Sequence, residues 1–439
     1  MVRIYSSGAF RRIVAQWRYI RGVTPEEERG AEGATGFIAR LGATMAGANY
    51  PVTMVQHTMV TTANAYHVTQ EILVLPNYVH VGGTDSSGHT ALHIARPERD
   101  LRYHQTFPLA RLISRAQTGS ISPADGMTEL DRIYALPPRF PVWVGVIGYA
   151  IQSTGLALIL QPAPWALAAA LGLGLMVGIL TAVVRVSDAL EQLLPIIVAF
   201  LVATISFTVA HLAHYSFGSL RVLIAPLAYF MPGAAITLAV IELSTHQLVS
   251  GSSRLISGFI RLGQLAFGIL IAAQVTGLGS SNLVDNPNNL IGPWAPWVGV
   301  LVYAIGTTLF FGPPRWFLPW MVVILLVSYS GQVLGNAIAG SYASGFFGGV
   351  VLTIGAVLIT RLPNSPPTMA LILPGFWLLV PGSLGLIGVT ELVGGDSSAV
   401  LTATIISLVA IALGMQTGLL ISEAVARLCR AHDPRAFRG

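Results

Sequence analysis

Residues 231–244 read MPGAAITLAVIELS and residues 380–393 read VPGSLGLIGVTELV. Each stretch opens on a Pro-Gly pair, and each places a Glu-Leu pair ten residues beyond the proline, at Pro232 to Glu242 and Pro381 to Glu391. Val240 and Val389 also coincide. A proline inside an apolar run removes a backbone donor and clashes with the preceding turn. Pro232-Gly233 and Pro381-Gly382 therefore suggest membrane helices broken partway along, and Pro374-Gly375 adds a second such point before the later copy. Ordinary proline kinks packed against neighbouring helices are the plainer alternative, and the pattern leaves both open.

Outward from these stretches lie further apolar runs long enough to span a bilayer, which takes about 20 residues. The expected spans are Val142–Leu160, Pro164–Val184, Leu193–Ala213, Val222–Leu243, Leu255–Gly277, Ala295–Gly312, Trp316–Gly335, Ala343–Thr360, Met369–Val393 and Ala399–Ala424. A polar stretch from Gly279 to Pro293, with Asp285 and Pro287, divides them into five and five. Each Pro-Gly motif then falls in the fourth run of its half. Five is odd, so the second half enters the membrane upside down, an inverted-topology repeat of the kind that alternates access to a midplane site. Arginine placement supports this count. Arg185, Arg254, Arg315, Arg361 and the group Arg427, Arg430, Arg435 and Arg438 follow the even-numbered runs. The loops after the first, fifth, seventh and ninth runs carry none, and Arg221 is the exception. Positive charge marks cytoplasmic loops, so both termini are expected inside.

Composition agrees. Mean hydropathy is +0.68 and only 10% of residues are charged, against about 25% in soluble proteins. Of 24 basic residues, all arginine, 14 precede Phe140, as do 11 of the 19 acids. The chain is thus a polytopic α-helical membrane protein of about ten transmembrane helices in a 5+5 inverted repeat, behind a small cytoplasmic α+β domain. The expected layout is a basic amphipathic segment over 1–24, the α+β domain over 25–138, a first five-helix module over 139–278 and a linker over 279–294. A second module over 295–426 and a basic tail over 427–439 complete it. In the first segment Phe10, Ile13, Val14, Trp17 and Ile20 recur at helical spacing between arginines, which suits a helix lying on anionic lipid. A frayed tail or a transit peptide would share that composition.

The head offers no catalytic constellation. His57, His67, His80, His89, His93 and His104 come with no H-E-x-x-H run or cysteine partner, so surface imidazoles are favoured over a metal site. No G-x-S-x-G elbow or P-loop occurs anywhere, and Cys429 is alone. No enzyme activity, cofactor or metal is expected. The near-balanced head also argues against nucleic acid despite a pI near 9.5. Short β-rich runs are expected at His67–Leu75, Tyr78–Val81 and Thr90–Ala95, with a turn over Gly82–Gly88. Ser122-Pro123 should open a helix as N-cap and first residue.

Charged residues in the body are the candidate functional groups. Glu242 lies about 15 Å along a helix from Pro232, toward the cytoplasmic end, and Glu391 toward the outer end. They are candidates for a gate or a proton-carrying pair, or for solvated helix ends. Arg254 or Arg261 could pair with Glu242 across the hairpin, with snorkelling to the interface as the alternative. Asp188 and Glu191 share a face at the start of the third run, where acids also complement the helix dipole. His211 and His214 are expected at the interface.

Met231–Ser244 followed by Leu248-Val-Ser-Gly-Ser-Ser-Arg-Leu255 resembles the threonine/serine exporter (ThrE) family. So do the head's Leu41-Gly42-Ala43, Asp131-Arg132-Ile133 and Pro141-Val142-Trp143. The resemblance covers essentially the whole chain. It implies export of threonine, serine or similar small amino acids across a bacterial cell membrane, driven by protons, without a cofactor. It assigns no substrate ligands, and self-association is left open. Dicarboxylate export is the nearest rival. A membrane-anchored hydrolase and a non-transporting scaffold are rivals of other classes.

Overall fold

The computed structural model describes residues 25–84, 90–160, 163–184, 188–212, 221–277, 289–379 and 399–431. The expected N-terminal amphipathic segment, Asp85–Gly88 of the expected turn, residues 278–288 of the linker, His214, the last residues of the tail and the set Pro381, Gly382 and Glu391 lie outside them. Contacts divide the chain into two units. Unit 1 comprises Met1–Leu101 and Pro108–Leu136, and unit 2 comprises Arg102–Phe107 and Pro137–Gly439.

In unit 1, helices α1 (Pro25–Gly47) and α2 (Val52–Ala65) precede strands β1 (Thr69–Leu75), β2 (Tyr78–Thr84) and β3 (Thr90–Ala95). The strands form an antiparallel sheet in the order β1-β2-β3. Strand alternation turns Val74, Val79 and Val81 inward, where they are buried. Phe37, Ile38, Leu41 and Met45 of α1 and Met59 of α2 complete that core. Helices α3 (Thr106–Gln117) and α4 (Pro123–Ala135) follow. The expected N-cap is present, since Ser122 Oγ accepts the Asp125 N–H at 3.1 Å with Pro123 at the first position. Arg40 bridges Glu98 and Asp131, at 2.6 and 2.5 Å. Burial pushes the Tyr50 phenol up to about 12.

Unit 2 is helical: α5 (Val142–Leu160), α6 (Pro164–Val184), α7 (Asp188–Leu212), α8 (Arg221–Leu227), α9 (Gly233–Ser244) and α10 (Leu248–Val275). After the linker come α11 (Ala295–Phe311), α12 (Leu318–Ala339), α13 (Ser341–Thr360), α14 (Thr368–Leu378) and α15 (Ala399–Ala431). Seven described segments are long and apolar enough to cross a membrane, or eight if the bent pair Val222–Phe230 and Gly233–Ser244 is one crossing. That is fewer than the ten expected. α11 has 17 residues, about 25 Å at the helical rise, and α14 has 11 before the described residues stop. Both are apolar but short of a full hydrocarbon core. The exposed side of α6 is itself apolar, with Leu171, Leu175, Ile179 and Val183 outermost. A helix apolar on its exposed face has lipid, not water, as its outer neighbour.

Between helices in lipid, close packing must replace the hydrophobic drive, and small residues permit it. α5 and α11 meet through Gly148 and Gly155 on one side and Gly299 and Gly306 on the other. A Cβ on Gly155 would stand 2.3 Å from Tyr303 N, and one on Gly306 2.2 Å from Gln152 N. Gly148 abuts Phe310 and Gly299 abuts Leu158. Rising numbers on α5 thus meet falling numbers on α11, so the two run antiparallel. α13 and α15 approach as closely but run parallel, with Gly345 against Ile411, Gly349 against Met415 and Gly418 against Val350.

Candidate functional site

The site is built around the break between α8 and α9. Pro232 sits at the N-cap of α9 with φ −81° and ψ 30°, and the two arms are bent by 65°. Pro232 cannot donate to the Ala228 carbonyl, which takes the Met231 N–H at 3.3 Å instead. Pro226, inside α8, adds a second interruption that sequence reasoning did not single out. The expected break at Pro232-Gly233 is therefore present, and it is a bend between two helices, sharper than a kink within one.

Freed backbone groups inside a bilayer need partners, because lipid offers none. Tyr149 of α5 supplies them. Its hydroxyl donates to the Pro226 carbonyl at 2.8 Å and accepts the Tyr229 N–H at 3.4 Å. Tyr149 is buried, with its ring 5.0 Å from that of Phe310 and 6.5 Å from that of Tyr229. It continues a polar seam between α5 and α11 with Gln152, Tyr303 and Thr307, all buried, while the buried Ser153 faces Gly174 of α6. Gln152 Nε2 reaches the Tyr303 hydroxyl at 3.5 Å. Spacings of three and four among Tyr149, Gln152 and Ser153, and of four between Tyr303 and Thr307, were the available signal in sequence.

Beyond the break, α9 packs on α10 through Gly251 and Gly258. A Cβ on Gly258 would stand 2.5 Å from Ile236 Cγ1, and one on Gly251 2.9 Å from the Ala239 carbonyl oxygen. This closeness turns Glu242 into the protein, where its side chain is wholly buried, and Arg254 Nε lies 3.2 Å from its Oε2. Arg254 is itself 12% exposed. Of the two arginines considered, Arg254 therefore makes the pair, while Arg261 two turns on is exposed. The reading of Glu242 as a solvated helix end does not survive its burial. Desolvating two charges is costly and is recovered only through their mutual attraction, so removing one partner costs far more than a surface pair would. Gln416 of α15 closes the same end, donating from Nε2 to Ser244 Oγ and toward the Ile241 carbonyl at 3.5 Å.

In the second half, Pro374 and Gly375 lie within α14. Gly375 is required by close approach, since a Cβ there would meet Leu352 Cδ1 at 2.3 Å. The Ser328 hydroxyl reaches the Gly375 carbonyl at 3.5 Å. Asp188 and Glu191 belong to the first turn of α7, and only their backbone is among the described residues. No three His, Cys, Asp or Glu side chains gather as a metal set among the described residues.

These features can be set beside known proteins. Pheromone-regulated membrane protein 10 of Kluyveromyces lactis is 24% identical over 375 residues, 83% of this chain and 39% of the yeast protein. The protein of the same name from Candida glabrata is 25% identical over 407 residues, 85% of this chain and 50% of its own length. The chain thus spans half or less of these relatives. No solved structure matches it. The profile of ThrE, described as "Putative threonine/serine exporter", matches residues 36–276, from the middle of α1 to the end of α10. That match covers more than half of the chain, including the break at Pro232 and the Glu242–Arg254 pair, and the chain belongs to the ThrE family.

Proposed function

We propose that this protein is a secondary transporter that exports small amino acids such as threonine or serine, coupled to the proton gradient. The observation that carries the reading is the broken α8–α9 segment with a wholly buried Glu242 paired to the nearly buried Arg254 at one end. Buried ionisable residues and interrupted helices are what a polar solute path through a bilayer requires. On this reading the ten apolar segments are ten crossings in two inverted modules, with both termini cytoplasmic and Glu391 as the counterpart of Glu242. Antiparallel packing of α5 on α11, the first helix of each module, supports that inversion. The family description supports the substrate class. The relatives above are yeast membrane proteins, and a bacterial cell membrane remains part of the proposal.

One observation bears on the dicarboxylate alternative. The nearly buried cation at the far end of α9, Arg254, already faces Glu242, so it offers little uncompensated positive charge to a dianion. A zwitterion suits such a neutral site better. Efflux from proteoliposomes loaded with threonine, serine or succinate, with and without an imposed pH gradient, tests both points. Gradient-stimulated efflux of threonine or serine is expected. Selective efflux of succinate would overturn the substrate assignment, and efflux indifferent to the gradient would overturn the coupling.

A further inference from the structure

The proline-containing helix α14 is held by a residue that no membrane helix supplies. In an unbroken helix the N–H of residue 374 would bond to the carbonyl of residue 370. Pro374 has no N–H, so the Ala370 carbonyl is left without its helical partner. The Tyr103 hydroxyl donates to that carbonyl. Tyr103 belongs to a six-residue strap, Arg102–Phe107, that packs as part of unit 2 although the chain on either side of it, at Leu101 and Pro108, belongs to unit 1.

The strap is shaped for this task. Tyr103–Gln105 form a 3-10 turn in which the buried Gln105 side chain accepts the Arg102 N–H at 2.8 Å. Thr106 Oγ1 donates to the Tyr103 carbonyl at 2.7 Å. The Tyr103 ring lies 6.1 Å from Phe311, 6.0 Å from Phe317 and 6.0 Å from Trp377. Trp377 belongs to α14 and stacks on Phe311 at 4.5 Å. Tyr103 therefore touches α14 on both sides of Pro374, by hydrogen bond at Ala370 before it and by ring contact at Trp377 after it. In the first module Tyr149 of α5 holds only the arm before the break, at Pro226 and Tyr229.

We propose that Tyr103 is a positioning residue for α14, a hydrogen-bond donor carried on a strap whose two ends continue into unit 1. A donor within α14 would be permanent. One delivered by a strap can be withdrawn, and α14 then carries an unsatisfied carbonyl in a medium without water. Through this strap, events in unit 1 set how firmly α14 holds its shape. The proposal deepens the transport reading by giving unit 1 a role, but its test does not depend on transport.

The test is hydrogen exchange, read by mass spectrometry on the full chain in nanodiscs, over residues 368–378. Tyr103→Phe keeps the ring and removes the donor. Exchange there should rise by about fivefold or more, the scale of one lost buried hydrogen bond, while residues 226–236 stay unchanged. Pro374→Ala restores the helical donor, so adding Tyr103→Phe to it should have no further effect. Wild-type exchange in Tyr103→Phe would overturn the proposal, as would an equal effect in the Pro374→Ala background. If Tyr103→Phe fails to insert, recovery of insertion by Pro374→Ala supports the proposal and failure to recover overturns it. Proteoliposomes of the same variants should show a changed maximal efflux rate with unchanged substrate KM. Absence of any efflux from the wild type would sink the transport reading and leave the exchange result standing.

Discussion

The bent α8–α9 segment and the unbroken α14 both carry a Pro-Gly pair and are braced from different places. At the first, Tyr149 reaches across from α5 to the Pro226 carbonyl and the Tyr229 N–H. At the second, Tyr103 reaches the Ala370 carbonyl from a strap between two parts of unit 1. The charges differ too. Glu242 has Arg254 twelve residues on, whereas no basic residue occurs between Leu392 and Ala426 to serve Glu391 in the same way. The lesson is that proline inside a membrane helix creates a need for a donor without saying where the donor comes from. Two helices that share a Pro-Gly pair can therefore be braced from different parts of the chain.

Topology labelling puts the comparison at greatest risk, because its expected outcome is all or none. In a Cys429→Ser background, single cysteines at Asn286 and Ser341 should react with an impermeant thiol reagent from outside. Cysteines at Pro314 and Pro363 should not. The reverse pattern would overturn the proposed inverted arrangement of the two halves.

Next in size is the contrast between the carboxylates. Glu242→Gln leaves Arg254 nearly buried without its counter-charge, which should cost about 3 kcal/mol of stability and abolish gradient-driven efflux. Glu391→Gln, with no basic residue before Arg427 to match Arg254, should insert and fold normally while losing proton coupling. Thermal unfolding in detergent beside efflux separates the two, and equal destabilisation by both would erase the asymmetry. Tyr149→Phe should be milder, about 1–2 kcal/mol for a lost buried hydrogen bond, with faster exchange over 226–236 and none over 368–378. Loosening of both breaks would mean that the modules are not braced independently.

At neutral pH the smallest effect belongs to unit 1. Tyr50, raised from 10 to about 12 by burial, is protonated in the folded state where the unfolded phenol has already ionised. The stability it contributes is complete below about pH 10 and is lost as pH rises toward 12. Tyr50→Phe should therefore leave unfolding unchanged at pH 7 and flatten its alkaline decline. A decline as steep as in the wild type would assign the alkaline sensitivity elsewhere.

Much of this was legible before any coordinates. Hydropathy of span length and a low charge content identified a membrane protein, because each depends on composition along a short window. Each of the ten apolar runs overlaps a described helix, and the Pro232 break and the Ser122 cap lie where their local chemistry demanded. The count of full crossings was less legible, because among the described residues α11 and α14 are apolar helices of 17 and 11 residues. Partner choice was not legible at all. Arg254 and Arg261 lie seven residues apart, on nearly the same face of α10, and helical periodicity cannot choose between them. The tight α9–α10 crossing at Gly251 and Gly258 does. Tyr149 lies 77 residues from Pro226 and Tyr103 lies 267 from Ala370. Local pattern fixes which segments leave water and where a backbone carbonyl loses its partner. Which distant hydroxyl or arginine answers that loss depends on side-chain reach between packed helices, and only the tertiary structure decides it.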